Sequence, residues 1–143
     1  MKRLSKNATV LQTLQNTMIR VFFGINKSKH INMQHLREEI KMMSVNQMNI
    51  YHILLEAYNI IWNSSSEQIK NKWANKNDCK HNLRSENKND QRIPKKPAKK
   101  CTGFTYHGAR IFNMLPCIIK ETKDPKTFKS LTKEWTWKNI PLY

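Results

Sequence analysis

Three glycines in 143 residues leave little room for chemistry that needs close backbone approach. A phosphate-cradling loop places several glycines within a few positions of a lysine, and no such cluster exists here. No Gly-x-Ser-x-Gly elbow occurs, and no cysteine–histidine pair stands in a context that makes a nucleophile. Acidic residues are equally scarce. The ten are Glu38, Glu39, Glu56, Glu67, Asp78, Glu86, Asp90, Glu121, Asp124 and Glu134. Two-metal phosphoryl chemistry needs carboxylates that hold ions about 4 Å apart. Glu38-Glu39 is the only adjacent pair, and neighbours on a helix point apart, so these acids read as solvated surface groups.

Cysteine is scarce too, with Cys79, Cys101 and Cys117 at irregular spacing. Cys79-Lys80-His81 offers two ligand types close together, and Cys101 and His107 are the nearest candidates to complete a set. Structural zinc uses paired short intervals that this arrangement does not reproduce. No metal or cofactor is expected, and three unpaired thiols suit a reducing compartment. No apolar run approaches the ~20 residues of a membrane span. The start, Met1-Lys2-Arg3-Leu4-Ser5-Lys6-Asn7, has charge without an apolar stretch behind it, so no secretory signal is read. The expected setting is intracellular, cytoplasmic or nuclear, with no membrane. The sequons at Asn7 and Asn63 are then idle.

What the chain has in excess is positive charge: 26 Lys and Arg against ten acids, a net charge of +16. Such an excess concentrates polyanions and speeds encounter with them. Nucleic acid is the foremost class of partner and an anionic membrane surface the second. Sixteen asparagines accompany the lysines, and AT-rich coding bias is the competing account of both.

The length suits one domain and is short for two, and an apolar share of 38% implies that part of the chain lies outside a packed core. Composition divides it into three stretches. Residues 9–62 are periodic. Leu11, Leu14, Met18, Val21 and Phe22 fall on one helical face, with Asn7 or Thr9 as a cap and Gly24 as a stop. Asn32 is placed to cap a second helix with Met33, Leu36, Ile40 and Met43 on its stripe. Ser44 is placed to cap a third. Its apolar positions, Val45, Met48, Tyr51, Ile53, Leu54, Leu55, Tyr58 and Ile61, form a stripe wide enough for burial. Three helices with short links predict a small bundle.

Residues 63–100 lose this periodicity, and from Gln68 to Lys100 they carry eleven basic and three acidic residues. Low hydrophobicity with high charge does not offset ordering entropy, which reads as a flexible basic linker. Residues 101–143 regain apolar spacing. Tyr106, Ala109 and Phe112 recur helically up to Pro116. Asp124-Pro125 is a helix start, and Phe128, Leu131 and Trp135 form one face. The predicted fold is mainly α: a small helical bundle, a flexible linker and a short helical C-terminal segment. Lys95, Lys96, Lys99 and Lys100 form a dense cluster before Phe104 and Tyr106, a pattern that suits phosphates and also a nuclear localisation signal. A solvated spacer is the plainer reading of the same lysines.

Two stretches together resemble a known family. The first is Leu11-Gln12-Thr13-Leu14-Gln15-Asn16, then Arg20, then Phe22-Phe23-Gly24. The second is Phe104-Thr105-Tyr106-His107-Gly108-Ala109-Arg110-Ile111-Phe112-Asn113-Met114-Leu115-Pro116, followed by Phe128-Lys129. Their order is similar to the region after the polymerase domain in reverse transcriptases of non-LTR retrotransposons of the jockey and CR1-like kind. Phe112 stands where that family usually has Trp, and Asn59 where it has Lys. Neither the family's Tyr-x-Asp-Asp polymerase turn nor its endonuclease is present in the chain.

The resemblance implies a truncated C-terminal tail of an RNA-directed DNA polymerase, with 9–62 a thumb-like post-polymerase segment. Such a tail is not an enzyme by itself. It implies weak, electrostatic RNA or DNA binding and a polymerase domain as partner, upstream or in trans. Arg20 and Arg110 match family arginines and carry either a phosphate contact or a brace within the fold. Tyr106, Phe112, Leu115 and Phe128 are expected in the core. The alternative is a stand-alone basic nucleic-acid-binding or helical protein-interaction module. The expected nucleic-acid contacts are thus Arg20, Lys95, Lys96, Lys99, Lys100 and Arg110.

Overall fold

The computed structural model describes residues 6–62 and 104–141. The protein is mainly helical, with six helices and no strand among those residues: α1 (Lys6–Phe22), α2 (Met33–Glu39), α3 (Val45–Trp62), α4 (Phe104–Asn113), α5 (Cys117–Lys120) and α6 (Pro125–Asn139). The stretch read as a basic linker, 63–100, lies outside the described residues, as do Cys79, His81 and Cys101.

Local chemistry sets the helix ends. Gly24 takes a positive φ of 63°. The Gly24 amide donates to the Val21 carbonyl at 3.0 Å and the Ile25 amide to the Arg20 carbonyl at 2.8 Å, the paired bonds of a Schellman stop. The end of α2 repeats this device without glycine. Lys41 and Met42 donate to the Glu38 and Arg37 carbonyls at 3.2 and 2.9 Å, and Lys41 holds a φ of 52°. Asn32 caps α2, its side chain accepting the Gln34 amide at 2.9 Å. At the start of α3, Ser44 Oγ accepts the Gln47 amide at 3.2 Å while Gln47 Oε1 accepts the Ser44 amide at 3.0 Å. This reciprocal pair is a capping box.

The chain divides into two compact units, Met1–Asn49 with Thr136–Tyr143, and Ile50–Trp135. In the second unit, α3 brings Leu54, Ala57, Tyr58 and Ile60 to a core shared with Ala109, Phe112, Leu115, Ile119 and Phe128. Leu131 and Trp135 pack against it from α6. The expected core residues Phe112, Leu115 and Phe128 are buried, and Tyr106 is half-buried. The Tyr58 and Phe128 rings stack with centroids 4.3 Å apart. Each large side chain so buried stabilises by roughly 1.5–3 kcal/mol. Lys120 is buried here as well, and its Nζ donates to the Asn113 carbonyl at 2.8 Å. A cation there meets the negative end of α4.

The first unit is held by a polar seam. Ile19 is the only buried residue of α1. Gln12, Gln15 and Asn16, which precede it at helical spacing, carry the hydrogen bonds of α1 to Arg37, Met43 and Val45. Gln12 Oε1 accepts the Val45 amide at 3.1 Å and Gln15 Nε2 donates to the Met43 carbonyl at 2.8 Å. Asn16 Oδ1 accepts from Gln12 Nε2 at 3.2 Å and from the buried Arg37 guanidinium. Gln47 closes the unit, its Nε2 donating to the Ile140 and Trp137 carbonyls at 2.9 and 3.3 Å.

Candidate functional site

The face of α1 that carries its apolar residues is turned to solvent. Leu11, Leu14, Met18, Val21 and Phe22 are all exposed, Met18 at 71% and Phe22 at 74%. The helical face read from the sequence exists, but the seam of Gln12, Gln15 and Asn16 is the side that bonds within the unit. The sidedness has a physical cause. The Val45 amide opens α3 and lacks a partner within its own helix, and an amide left without an acceptor costs more than an exposed leucine. On α1 the acceptor for Val45 is Gln12 Oε1. Beside the exposed face, Met18, Phe22, Ile40 and Met42 line an apolar groove of about 300 Å³ together with Gln15 and Ile19.

The expected nucleic-acid contacts are distributed as follows. Arg20 belongs to the first unit, and its Nη1 donates to the Asn26 and Lys29 carbonyls at 3.4 and 3.1 Å. It braces the turn after Gly24. Arg110 belongs to the second unit and is exposed on the last turn of α4. Lys95, Lys96, Lys99 and Lys100 lie outside the described residues. Among the described residues no group of three His, Cys, Asp or Glu is placed to hold a metal. No described helix is long and apolar enough to cross a membrane.

One set of basic residues escaped the sequence reading. Lys126, Lys129 and Lys133 on α6 are all exposed, and positions i, i+3 and i+7 share one helical face. The opposite face carries Phe128, which is fully buried, and Trp135. The Lys spacing after Asp124-Pro125 was the available signal. At the start of α6, Asp124 Oδ2 accepts the Thr127 hydroxyl at 2.6 Å and its amide at 2.7 Å. These bonds, the hydroxyl's first, hold the Asp124 carboxyl below the ordinary aspartate range. Just before it, Lys123 places its ammonium 5.5 Å from the Trp62 ring centroid, and the Lys123 carbonyl accepts from the Tyr58 hydroxyl. Burial, and then the charge of Asp124, push the Tyr58 phenol up. Burial pushes the Arg37 guanidinium down, and its Nε has no acceptor among the described residues.

In comparison with known proteins, the chain matches no family model, no curated protein and no solved structure.

Proposed function

We propose that this chain is the polymerase-supporting C-terminal tail of a non-LTR retrotransposon reverse transcriptase, catalytically silent by itself, which docks on a polymerase domain and helps hold RNA or DNA. The outward apolar face of α1 carries this reading. A helix that spends its polar side on hydrogen bonds within its own unit and presents Leu11, Leu14, Met18, Val21 and Phe22 to solvent is built to be covered by another surface. The spacing 11, 14, 18, 21 alternates three and four residues, the seam that a second helix fits.

Three further features support it. The resemblance places a polymerase domain as the partner of this segment. The motif from Tyr106 to Pro116 forms α4 and its closing turn, with Phe112 and Leu115 in the core and Lys120 locking the end of the helix. The charge of +16 supplies the attraction for nucleic acid.

The test is capture of the full chain by the polymerase domain of a jockey- or CR1-like reverse transcriptase. Capture is expected with the chain as it stands and is lost in a Leu14→Glu, Met18→Glu variant. No capture of the unaltered chain would overturn the reading.

A further inference from the structure

We infer that the exposed face of α6 is a binding site for the phosphate backbone of nucleic acid, with Lys126, Lys129 and Lys133 as its contacts. The inference rests on the nucleic-acid part of the function proposed above and names the site that carries it.

At 1.5 Å rise per residue the three lysines span about 10 Å of helix. One strand of a duplex presents a phosphate about every 3.4 Å of its axis, so about three phosphates fall within that length. The helix is a firm platform, because Phe128 on its opposite face is fully buried and stacked on Tyr58. Three like charges at i, i+3 and i+7 repel one another and weaken the helix. A polyanion along the face relieves that repulsion.

Among the described residues none of the three lysines takes a carboxylate partner. The acids at the two ends of the stripe are Asp124 and Glu134. Asp124 is engaged by Thr127, and Glu134 also has an interaction of its own. The ammonium groups are therefore available to an external anion.

The chemistry favours nucleic acid over a lipid surface. A helix that settles on a membrane inserts an exposed apolar face between its basic residues. On α6 the apolar residues Phe128, Leu131 and Trp135 pack in or against the core, and Trp137, one turn past Lys133, is half-buried; from Lys126 to Lys133 the basic face offers only ammonium groups and the Ser130 hydroxyl between them. Nothing in such a face reads base identity, so binding is independent of sequence.

The experiment measures binding of the full chain to a random RNA and to duplex DNA by fluorescence anisotropy over a salt series. It compares the unaltered chain with Lys126→Gln, Lys129→Gln, Lys133→Gln and with a control, Lys6→Gln, Lys27→Gln, Lys29→Gln, that removes equal charge elsewhere. Circular dichroism of each variant verifies the fold, which substitutions at these exposed positions leave intact. The α6 variant is expected to bind at least tenfold more weakly at about 50 mM salt, and its salt slope to fall by about 2 or more. The control is expected to change both far less. If both variants weaken equally, the site on α6 is wrong while nucleic-acid binding stands. If the unaltered chain binds neither nucleic acid, both readings fall. If the α6 variant loses only its binding to phosphatidylcholine vesicles containing phosphatidylserine, the ligand is a membrane and the inference is overturned.

Discussion

The Val45 amide, the first donor of α3, is accepted by Gln12 Oε1 of α1 at 3.1 Å. A side chain 33 positions away therefore satisfies a group that would otherwise stand unpaired at a helix start. Gln12 is tied to Val45 and Gln15 to the Met43 carbonyl, while Leu11, Leu14 and Met18 of the same helix stand exposed.

Gln47 makes three side-chain hydrogen bonds within the first unit. It accepts from the Ser44 amide and donates to the Trp137 and Ile140 carbonyls, linking the start of α3 to the end of α6. Gln47→Leu keeps the volume and removes all of these bonds, leaving buried partners unsatisfied. Destabilisation by about 2–4 kcal/mol is expected, measured by urea unfolding. A loss below about 0.5 kcal/mol would show that the bonds carry no net stability.

Two helix stops give expected changes of opposite sign. Lys41 holds a φ of 52° where an L side chain is strained, and Gly24 holds 63° where none is present. Lys41→Gly is expected to stabilise by about 0.5–1 kcal/mol. Gly24→Ala is expected to destabilise by about 1 kcal/mol although the space around Gly24 is open. Thermal unfolding of the two variants checks both signs.

Asp124 supplies a pH dependence. Its carboxyl is held below the ordinary range by the Thr127 hydroxyl and amide, so its folded pKa lies under its unfolded one. A depressed carboxylate contributes stability that is fully present above the unfolded value, near about 4, and is lost as pH falls through the folded value. Asp124→Asn is expected to flatten the acid limb of stability against pH below about 4. The midpoint temperature followed between neutral and acid pH measures it, and an unchanged acid limb would assign the loss to other carboxylates.

Much of the fold was legible in the sequence because the signals were local. Gly24, Asn32, Ser44 and Asp124-Pro125 each act within a few residues, and each sits at the helix end it was read to mark. Phe112, Phe128 and Leu131 kept their places in or against the core because the periodicity of α4 and α6 and the packing agree, and Leu115, expected there from the resemblance, is buried in the turn after α4. The orientation of α1 was not legible. Periodicity identifies an apolar face without saying what lies opposite, and the acceptors needed by Val45 and by Arg37 belong to groups distant in sequence. Ala57 and Ile60 were passed over because neither stands out in the wide stripe of α3, and the four-residue α5 is too short to leave a periodic signal. Of the candidate contacts, Arg20 proved to be tied to the carbonyls of Asn26 and Lys29, and the lysine face of α6 emerged only once Phe128 fixed which side of that helix is buried.

A docking face on α1 that is no part of the chain's own core can be made polar without unfolding the isolated chain. The unfolding free energy of the chain carrying Leu14→Glu and Met18→Glu measures this. Both side chains are exposed, so a change within about 0.5 kcal/mol per site is expected, with a gain in solubility. A loss of about 2–5 kcal/mol, the cost of opening a buried leucine or methionine site, would place these residues in the core and contradict the account.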